Sequence, residues 1–281
     1  MVTAIEILLA RSLTKLREYF LVQYAPVPDG FLEALESDPR SGARQLAQLI
    51  HKRRRQNRKE GQRLRTMLRF EQELWDRGFG LIAGVDEAGM APLAGPVVAA
   101  AVILPHRYKL QGLNDSKKIP NERRREKLAQ RIKQDAVCWS VGQAEVEEID
   151  SLNIYRSGLL AMQRAVEGLG TKPEYILVDA RTIPHCPCPQ RGIVHGDALS
   201  ASIAAASIIA KTTRDTHMIA MDRIYIGYGF ASHKGYPTRE HLRVLRERGP
   251  LPIHRRSFAP VRQAMGLDPV QRELFEESQA D

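Results

Sequence analysis

The chain has too little cysteine for a disulfide scaffold, no apolar run long enough to cross a bilayer, and no internal repeat or low-complexity stretch. Three cysteines among 281 residues are few and odd in number, which predicts a reducing, cytoplasmic setting. The longest apolar stretches, residues 96–104 and 203–210, reach about half of the ~20 residues that a membrane span requires. Near the N-terminus Glu6 interrupts the apolar run, and Ile5, Leu8, Leu9, Leu16 and Phe20 recur at helical spacing, which suits an amphipathic helix rather than a signal peptide. Without a coiled-coil or repeat interface, a monomer is expected. Acid is the scarcer charge, 33 residues against 42 bases, and the net charge is +9. With 43% hydrophobic and 27% charged residues, a disordered chain is also excluded.

The basic excess is local. From Lys52 to Arg69 nine bases face one acid, Glu60, and between His51 and Arg63 there is no apolar residue at all. Leu46, Leu49 and Ile50 before this stretch and Leu64, Met67, Leu68, Leu74 and Trp75 after it keep helical spacing. The pattern reads as a solvated connector between two packed pieces. It is equally an arm for phosphate backbones, and the sequence leaves both readings open.

The first 50 residues predict two or three short helices with a Pro/Gly break at 26–30, an accessory unit without chemistry of its own. From Gly78 onward the texture changes to apolar, β-branched runs at 81–85, 97–104, 137–141, 175–178 and 192–194, which predict strands. Helical patterns at 121–134 and 155–169 lie between them, and a helix of small and β-branched residues follows at 198–213. Further helices are expected at 216–226 and 238–248. This order predicts a mixed α/β sheet. The expected organisation is an N-terminal helical extension with its basic connector (1–77), an α/β core (78–215), a C-terminal helical part (216–265) and a polar tail (266–281).

Three apolar elements end or begin with an acid. Val85 leads to Asp86 and Glu87, Val178 leads to Asp179, and Asp197 opens the alanine-rich helix. Strand ends are where ligands collect in α/β sheets, so acids far apart in sequence can converge there. Singly, each acid is explained as a turn residue or helix cap. Jointly, clustered carboxylates repel one another unless a cation lies between them, and oxygen-only ligands select hard divalent ions.

The acids lie within a longer series of motifs: Ala83-Gly84-Val85-Asp86-Glu87-Ala88-Gly89, Pro92-Leu93-Ala94-Gly95-Pro96-Val97-Val98, Leu113-Asn114-Asp115-Ser116-Lys117-Lys118, Leu177-Val178-Asp179 and Gly196-Asp197. Ser202 to Lys211, Tyr228-Gly229-Phe230, His233-Lys234-Gly235-Tyr236-Pro237-Thr238 and His254-Arg255-Arg256-Ser257-Phe258 continue the series. In these stretches and in their order the sequence resembles the ribonuclease HII family, enzymes that nick the RNA-containing strand of RNA–DNA hybrids, including at single embedded ribonucleotides. The first 77 residues are similar to an extension found in some bacterial members. The resemblance implies a ribonuclease H-like mixed sheet flanked by helices. It implies a site in which Asp86, Glu87, Asp179 and Asp197 hold two Mg²⁺ or Mn²⁺ ions, with Asp86 bridging both. One ion would generate the attacking hydroxide and the other would stabilise the leaving 3′-oxygen, leaving a 5′-phosphate and a 3′-hydroxyl.

For the substrate, the resemblance assigns Tyr236 to stacking on the sugar at the ribonucleotide junction and Lys117 and Lys118 to backbone phosphates. Arg255 and Arg256 suit either phosphate contact or packing of the C-terminal part. One motif departs from the family. Gly89-Met90-Ala91 stands where Gly-Arg-Gly is expected, removing a charge and five donors and adding a Cβ. The alternatives are therefore a hybrid nuclease that ignores single ribonucleotides, or a homologue that binds nucleic acid without turnover. His233 and Phe230 read as structural, and Lys211 as a helix-end cation near phosphate. Cys186 and Cys188 beside His185 lack a second ligand pair for zinc and read as a loop. Gln271, Leu274 and Phe275 form a Gln-x-x-Leu-Phe pattern of the sliding-clamp-binding type, for which a terminal helix docking on its own domain is the competing reading.

Overall fold

The computed structural model describes residues 4–267, so Gln271, Leu274 and Phe275 lie outside the described residues. The chain divides into two compact units, Met1–Arg65 and Thr66–Asp281. Among the described residues no helix is long and apolar enough to cross a membrane.

The N-terminal unit contains short helices α1 (Ala4–Leu9), α2 (Leu13–Arg17), which continues into a π-helical turn at Glu18–Val22, and α3 (Phe31–Glu36), and the start of a long one, α4 (Ala43–Met67). Leu16, Phe20, Phe31, Leu35, Leu46 and Ile50 form its core, with the Phe20 and Phe31 rings 4.8 Å apart. The basic stretch expected as a connector is the middle of α4, so it is a continuous helix. Arg53 alone turns back to the core, donating to the Phe20 carbonyl and lying 3.9 Å over the Tyr24 ring.

The second unit is built on a five-stranded mixed sheet of order β3-β2-β1-β4-β5. Its strands are β1 (Ile82–Ala88), β2 (Val97–Ile103), β3 (Cys138–Ala144), β4 (Tyr175–Asp179) and β5 (Gln190–Ile193), each overlapping an apolar run predicted to be a strand. β2 pairs antiparallel with both β1 and β3, while β4 runs parallel to β1 and β5 parallel to β4. Helices α5 (Arg69–Asp76), α6 (Glu122–Asp135), α7 (Val146–Leu152), α8 (Ile154–Glu167), α9 (Gly196–Leu199) and α10 (Ala201–Ile224) belong to the same unit. The C-terminal part adds α11 (Phe230–His233), α12 (Arg239–Arg248) and α13 (Ala259–Ala264).

Strand alternation sorts the core into two layers. Ala83, Val85, Ile176 and Val178 pack on Ala161, Met162, Ala165 and Val166 of α8. Ile82, Leu177 and Ile193 pack on Leu74 of α5 and Ile203 of α10. At Gly84 the first turn of α10 lies so close that an added Cβ would overlap the Ser202 main chain. That contact is why a glycine stands in the interior of β1.

The small-residue helix differs from expectation at both ends. The helix predicted at 198–213 is broken by Ser200, which is extended (φ −121°, ψ 134°) and caps α10 by accepting from the Ile203 amide. Buried Glu71 of α5 completes the cap, its Oε1 accepting from Ser200 Oγ (2.6 Å), Ser202 Oγ (2.7 Å) and the Ser202 amide (2.9 Å). Downstream, α10 runs through to Ile224 and fuses two predicted helices, because nothing between Thr213 and Thr216 stops a helix. The short α7 went unpredicted, although Glu145 and Glu148 form a capping box at its start.

Candidate active site

The strand register creates the acidic site. Val85 pairs with Val178 across the parallel β1–β4 ladder, so the next residues, Asp86 and Asp179, stand side by side at the carboxyl ends of two central strands. Both follow the alternation of Gly84 and Leu177 and face α10. Asp197 joins them from α9, and ligand atoms of Asp86, Asp179 and Asp197 all lie within 4.8 Å of one another.

Glu87 does not share that tight group. As the neighbour of Asp86 on a strand it points to the opposite face, where Arg181 meets its Oε1 at 3.2 Å. Its other oxygen, Oε2, is buried and has no hydrogen-bond partner. Arg181 lies 5.2 Å over the Tyr155 ring. The guanidinium also borders Gly158, where an added Cβ would come within 2.7 Å of it and 3.1 Å of Met90 Sδ.

The electrostatics are those of a strained cluster. Burial, then repulsion from Glu87 and Asp179, holds the Asp86 carboxyl well above the usual range, although the Glu87 amide donates to its Oδ1 at 2.7 Å. Burial raises Glu87, which Arg181 partly offsets, and burial followed by Asp197 raises Asp179. The Gly196 amide donates to Asp179 Oδ1 at 2.7 Å, and Lys117 Nζ sits 3.1 Å from Asp197 Oδ2 while its side chain remains 77% exposed. Ser207 on α10 hydrogen-bonds Asp86 and shares a 2.9 Å contact with Ser116. An all-oxygen donor set, mutual repulsion and an unpartnered buried carboxylate oxygen fit a hard divalent cation.

Next to the acids, the loop of residues 89–96 is held from within. Gly89 has φ 98°, and an added Cβ there would strike the Arg214 side chain. Arg214, fully buried on α10, donates to the carbonyls of Ala94 (2.9 Å), Pro96 (3.0 Å) and Lys234 (3.0 Å). Arg255 is also fully buried and grips Gly89, Pro92 and Gly95 at 2.6–3.0 Å, with a longer bond to the Met90 carbonyl. Direct phosphate contact by Arg255 is thereby corrected: every guanidinium nitrogen is spent on loop carbonyls. Met90 packs half-buried on the α8-side core and Ala91 is exposed. Among the described residues, no protein group accepts from the amides of these two.

Tyr236 is 37% exposed, with Lys211 Nζ 5.4 Å from its ring centre. Its position is tied to the same loop, since the Leu93 amide donates to the Gly235 carbonyl at 2.8 Å. A line of neutral imidazoles fixes it from behind. The Leu251 amide donates to His254 Nδ1 (2.9 Å), which leaves His254 Nε2 to donate to His241 Nε2 (3.0 Å) and His241 Nδ1 to donate to the Tyr236 carbonyl (2.9 Å). Burial pushes both histidines down to about 4. His233 is structural as well, bonded to the Tyr228 carbonyl and the Gly235 amide. Lys118 and Arg256 are exposed, and Asp150 accepts from the Arg256 amide. Cys186 and Cys188 are free thiols packed on the core, and burial followed by Cys186 pushes Cys188 up to about 11.

Sequence reasoning missed Arg181, Ser207, Arg214 and Glu71. Arg181 had a signal, since it stands two residues beyond Asp179 at a strand end. The other three are polar residues whose burial only the packing of α5 and α10 reveals.

The sequence model of the family described as Ribonuclease HII matches residues 83–261, and that described as Ribonuclease HII N-terminal domain matches residues 15–75. The ribonuclease HII of Myxococcus xanthus (strain DK1622) is 62% identical over 280 residues, covering 98% of this chain and 96% of that one. The ribonuclease HII of Anaeromyxobacter sp. (strain Fw109-5) is 60% identical over 264 residues, covering 94% and 84%. Among solved structures, ribonuclease H2 from Pyrococcus horikoshii OT3 superposes with a TM-score of 0.54 at 26% identity, over 66% of this chain and 97% of that one. The mixed sheet with its flanking helices is thus a ribonuclease H-like fold. With that likeness running the length of both units, the chain belongs to the ribonuclease HII family of nucleases.

Proposed function

We propose that Asp86, Glu87, Asp179 and Asp197 hold two divalent cations, Mg²⁺ or Mn²⁺. The enzyme, acting as a monomer, then hydrolyses the RNA-containing strand of RNA–DNA hybrids and nicks duplex DNA 5′ of embedded ribonucleotides, leaving a 3′-hydroxyl and a 5′-phosphate. The observation that carries this reading is the convergence of ligand oxygens of Asp86, Asp179 and Asp197 within 4.8 Å of one another, with the adjacent Glu87 carrying a buried oxygen that has no hydrogen-bond partner. When bound, such ions activate a water for in-line attack and neutralise charge on the leaving oxygen.

The chain's own groups do the positioning. Asp86, central and buried, faces both Asp179 and Glu87. Arg181 keeps Glu87 Oε1 engaged and leaves Oε2 for a cation. Exposed Lys117 releases Asp197 and turns, with Lys118 and Arg256, to substrate phosphates. The inward pull of Arg255 on the carbonyls of residues 89–95 leaves the Met90 and Ala91 amides to face the ribonucleotide, and Tyr236 stacks on its sugar. Recognition of this kind uses main-chain donors, so loss of the arginine side chain at position 90 is compatible with reading a 2′-hydroxyl.

The test is cleavage of a labelled duplex carrying one internal ribonucleotide beside a full RNA–DNA hybrid, with Mg²⁺ or Mn²⁺ and an Asp86→Asn control. A nick 5′ of the lone ribonucleotide, absent in the control, is expected. Cleavage of the hybrid alone would reject the junction reading, and cleavage of neither would reject the whole assignment.

A further inference from the structure

Glu71 on α5 is a buried acid outside the four site carboxylates, 3% exposed. One of its oxygens, Oε1, takes every bond: Ser200 Oγ donates at 2.6 Å, Ser202 Oγ at 2.7 Å and the Ser202 amide at 2.9 Å. Both serines are themselves buried, so no solvent replaces this acceptor. From Ser200 the bonds run on to the acidic cluster. The Ser200 amide donates to the Gly196 carbonyl at 2.8 Å, and the Gly196 amide donates to Asp179 Oδ1 at 2.7 Å. Asp197 lies between these two anchors, on α9, which has only four residues. A single turn does not hold itself in water, so the direction of α9 is set by what grips its ends. His195 enters it with a left-handed φ of 57°, and Ser200 leaves it extended. Asp179 grips the front of the turn, and Glu71 grips the back.

We propose that Glu71 is a positioning residue for the cation site: by holding Ser200 it fixes the turn that presents Asp197 to Asp86 and Asp179. The proposal rests on the reading of those acids as cation ligands given above. Capping of α10 does not by itself account for the arrangement. Ser200 already caps that helix by accepting from the Ile203 amide, and this bond needs no glutamate. What Glu71 adds is a tie between the end of α9 and the start of α10. The same oxygen also fixes Ser202, whose main chain lies against Gly84, two residues before Asp86 on β1. One carboxyl on α5 therefore bears on two of the three clustered acids, on Asp197 through α9 and on Asp86 through β1. Groups that touch no cation but orient its ligands govern affinity because a hard ion needs its oxygens held at set separations.

The experiment compares the full-length chain with Glu71→Leu, Glu71→Gln and Ser200→Ala. Leucine fills most of the space and accepts nothing. Glutamine offers the same three donors an oxygen, and its amide nitrogen falls where Oε2 has no hydrogen-bond partner. Mn²⁺ binding is read from the free-ion signal in electron paramagnetic resonance, and hydrogen exchange over residues 195–200 is followed in the metal-free protein. Glu71→Leu should bind Mn²⁺ about 10–100-fold more weakly and exchange faster over 195–200, with the circular dichroism of wild type. Its cleavage of a hybrid should lose kcat at fixed Mn²⁺ with KM unchanged, and regain it as Mn²⁺ is raised. Ser200→Ala should reproduce these changes and add little to them in the double variant, whereas Glu71→Gln should keep the wild-type values. Wild-type Mn²⁺ affinity in Glu71→Leu would overturn the proposal, as would a loss in Glu71→Gln as large as in Glu71→Leu. If Glu71→Leu does not fold, Ser200→Ala decides alone, and an affinity equal to wild type rejects the proposal. An Asp86→Asn control separates the two readings. Mn²⁺ binding that survives Asp86→Asn would remove the cation site itself, whereas binding that depends on Asp86 without cleavage of any hybrid would reject the nuclease reading and leave the role of Glu71 standing.

Discussion

At Asp86, burial and the carboxylates of Glu87 and Asp179 all oppose ionisation. A folded carboxyl that titrates above its unfolded value binds more protons than the unfolded chain in the interval between the two. Its contribution to stability is therefore present at low pH and lost as pH rises through the folded value. Asp86→Asn keeps the shape and removes that charge. The metal-free variant should be more stable than wild type at neutral pH, with the advantage shrinking as pH falls toward 4, while cleavage is abolished. Urea melts of both proteins across this range check the sign, and a variant less stable than wild type at pH 7 would reject the account. Burial opposes the charge of Arg255 as well, pulling it down to about 9, but here every donor is satisfied. Arg255→Met leaves the carbonyls of Gly89, Pro92 and Gly95 unpaired, a loss of about 2–4 kcal/mol by the scale of charged hydrogen bonds. Its mechanistic consequence is a slackened 89–91 turn, so single-ribonucleotide cleavage should fall further than hybrid cleavage. Equal losses on the two substrates would make Arg255 a general stabiliser only.

The elements of the core were legible in the sequence because local pattern and tertiary role agree there. Runs of β-branched residues became the strands, and acids placed at their ends converged because the register of β1 and β4 leaves them no alternative. Even the separation of Glu87 from the other three follows from strand alternation, once Asp86 and Glu87 are seen to be consecutive. What stayed hidden depends on packing between distant elements. Nothing local marks Ser200 as the break before α10, since Glu71, 129 residues upstream, completes the cap. Nothing distinguishes Arg255 from Arg256 until one is buried on the loop and the other lies at the surface. The histidine line between α12 and the segment after it belongs to this hidden class, and it makes a pH prediction. His241 and His254, held at about 4 against an ordinary value of 6.5, bind fewer protons folded than unfolded between those limits. Their contribution is fully present above about pH 6.5 and is lost as pH falls toward 4. A His254→Ala variant should be less stable at pH 7 and show a shallower loss on acidification. A loss as steep as that of wild type would remove the histidines from the explanation.

On the scale of the whole chain, the two units have separate hydrophobic cores, one drawn from residues 5–50 and the others from residue 70 onward. The described metal-donor cluster lies wholly in the second unit. A ligand stabilises only the cooperative unit whose folded form binds it, by about 2.7 kcal/mol at a hundredfold excess over its Kd. Calorimetry with increasing Mn²⁺ should therefore raise the transition of the unit that contains the acids and leave that of the N-terminal helices in place. The gain should be larger at pH 8 than at pH 6, because cations and protons compete for carboxylates whose affinity for protons is raised. Asp86→Asn should erase most of the shift. A uniform shift of the entire unfolding profile would mean that the units melt as one cooperative body. A shift preserved in Asp86→Asn would place the bound ions away from the acidic strand ends, and the catalytic reading of those ends would fall with it.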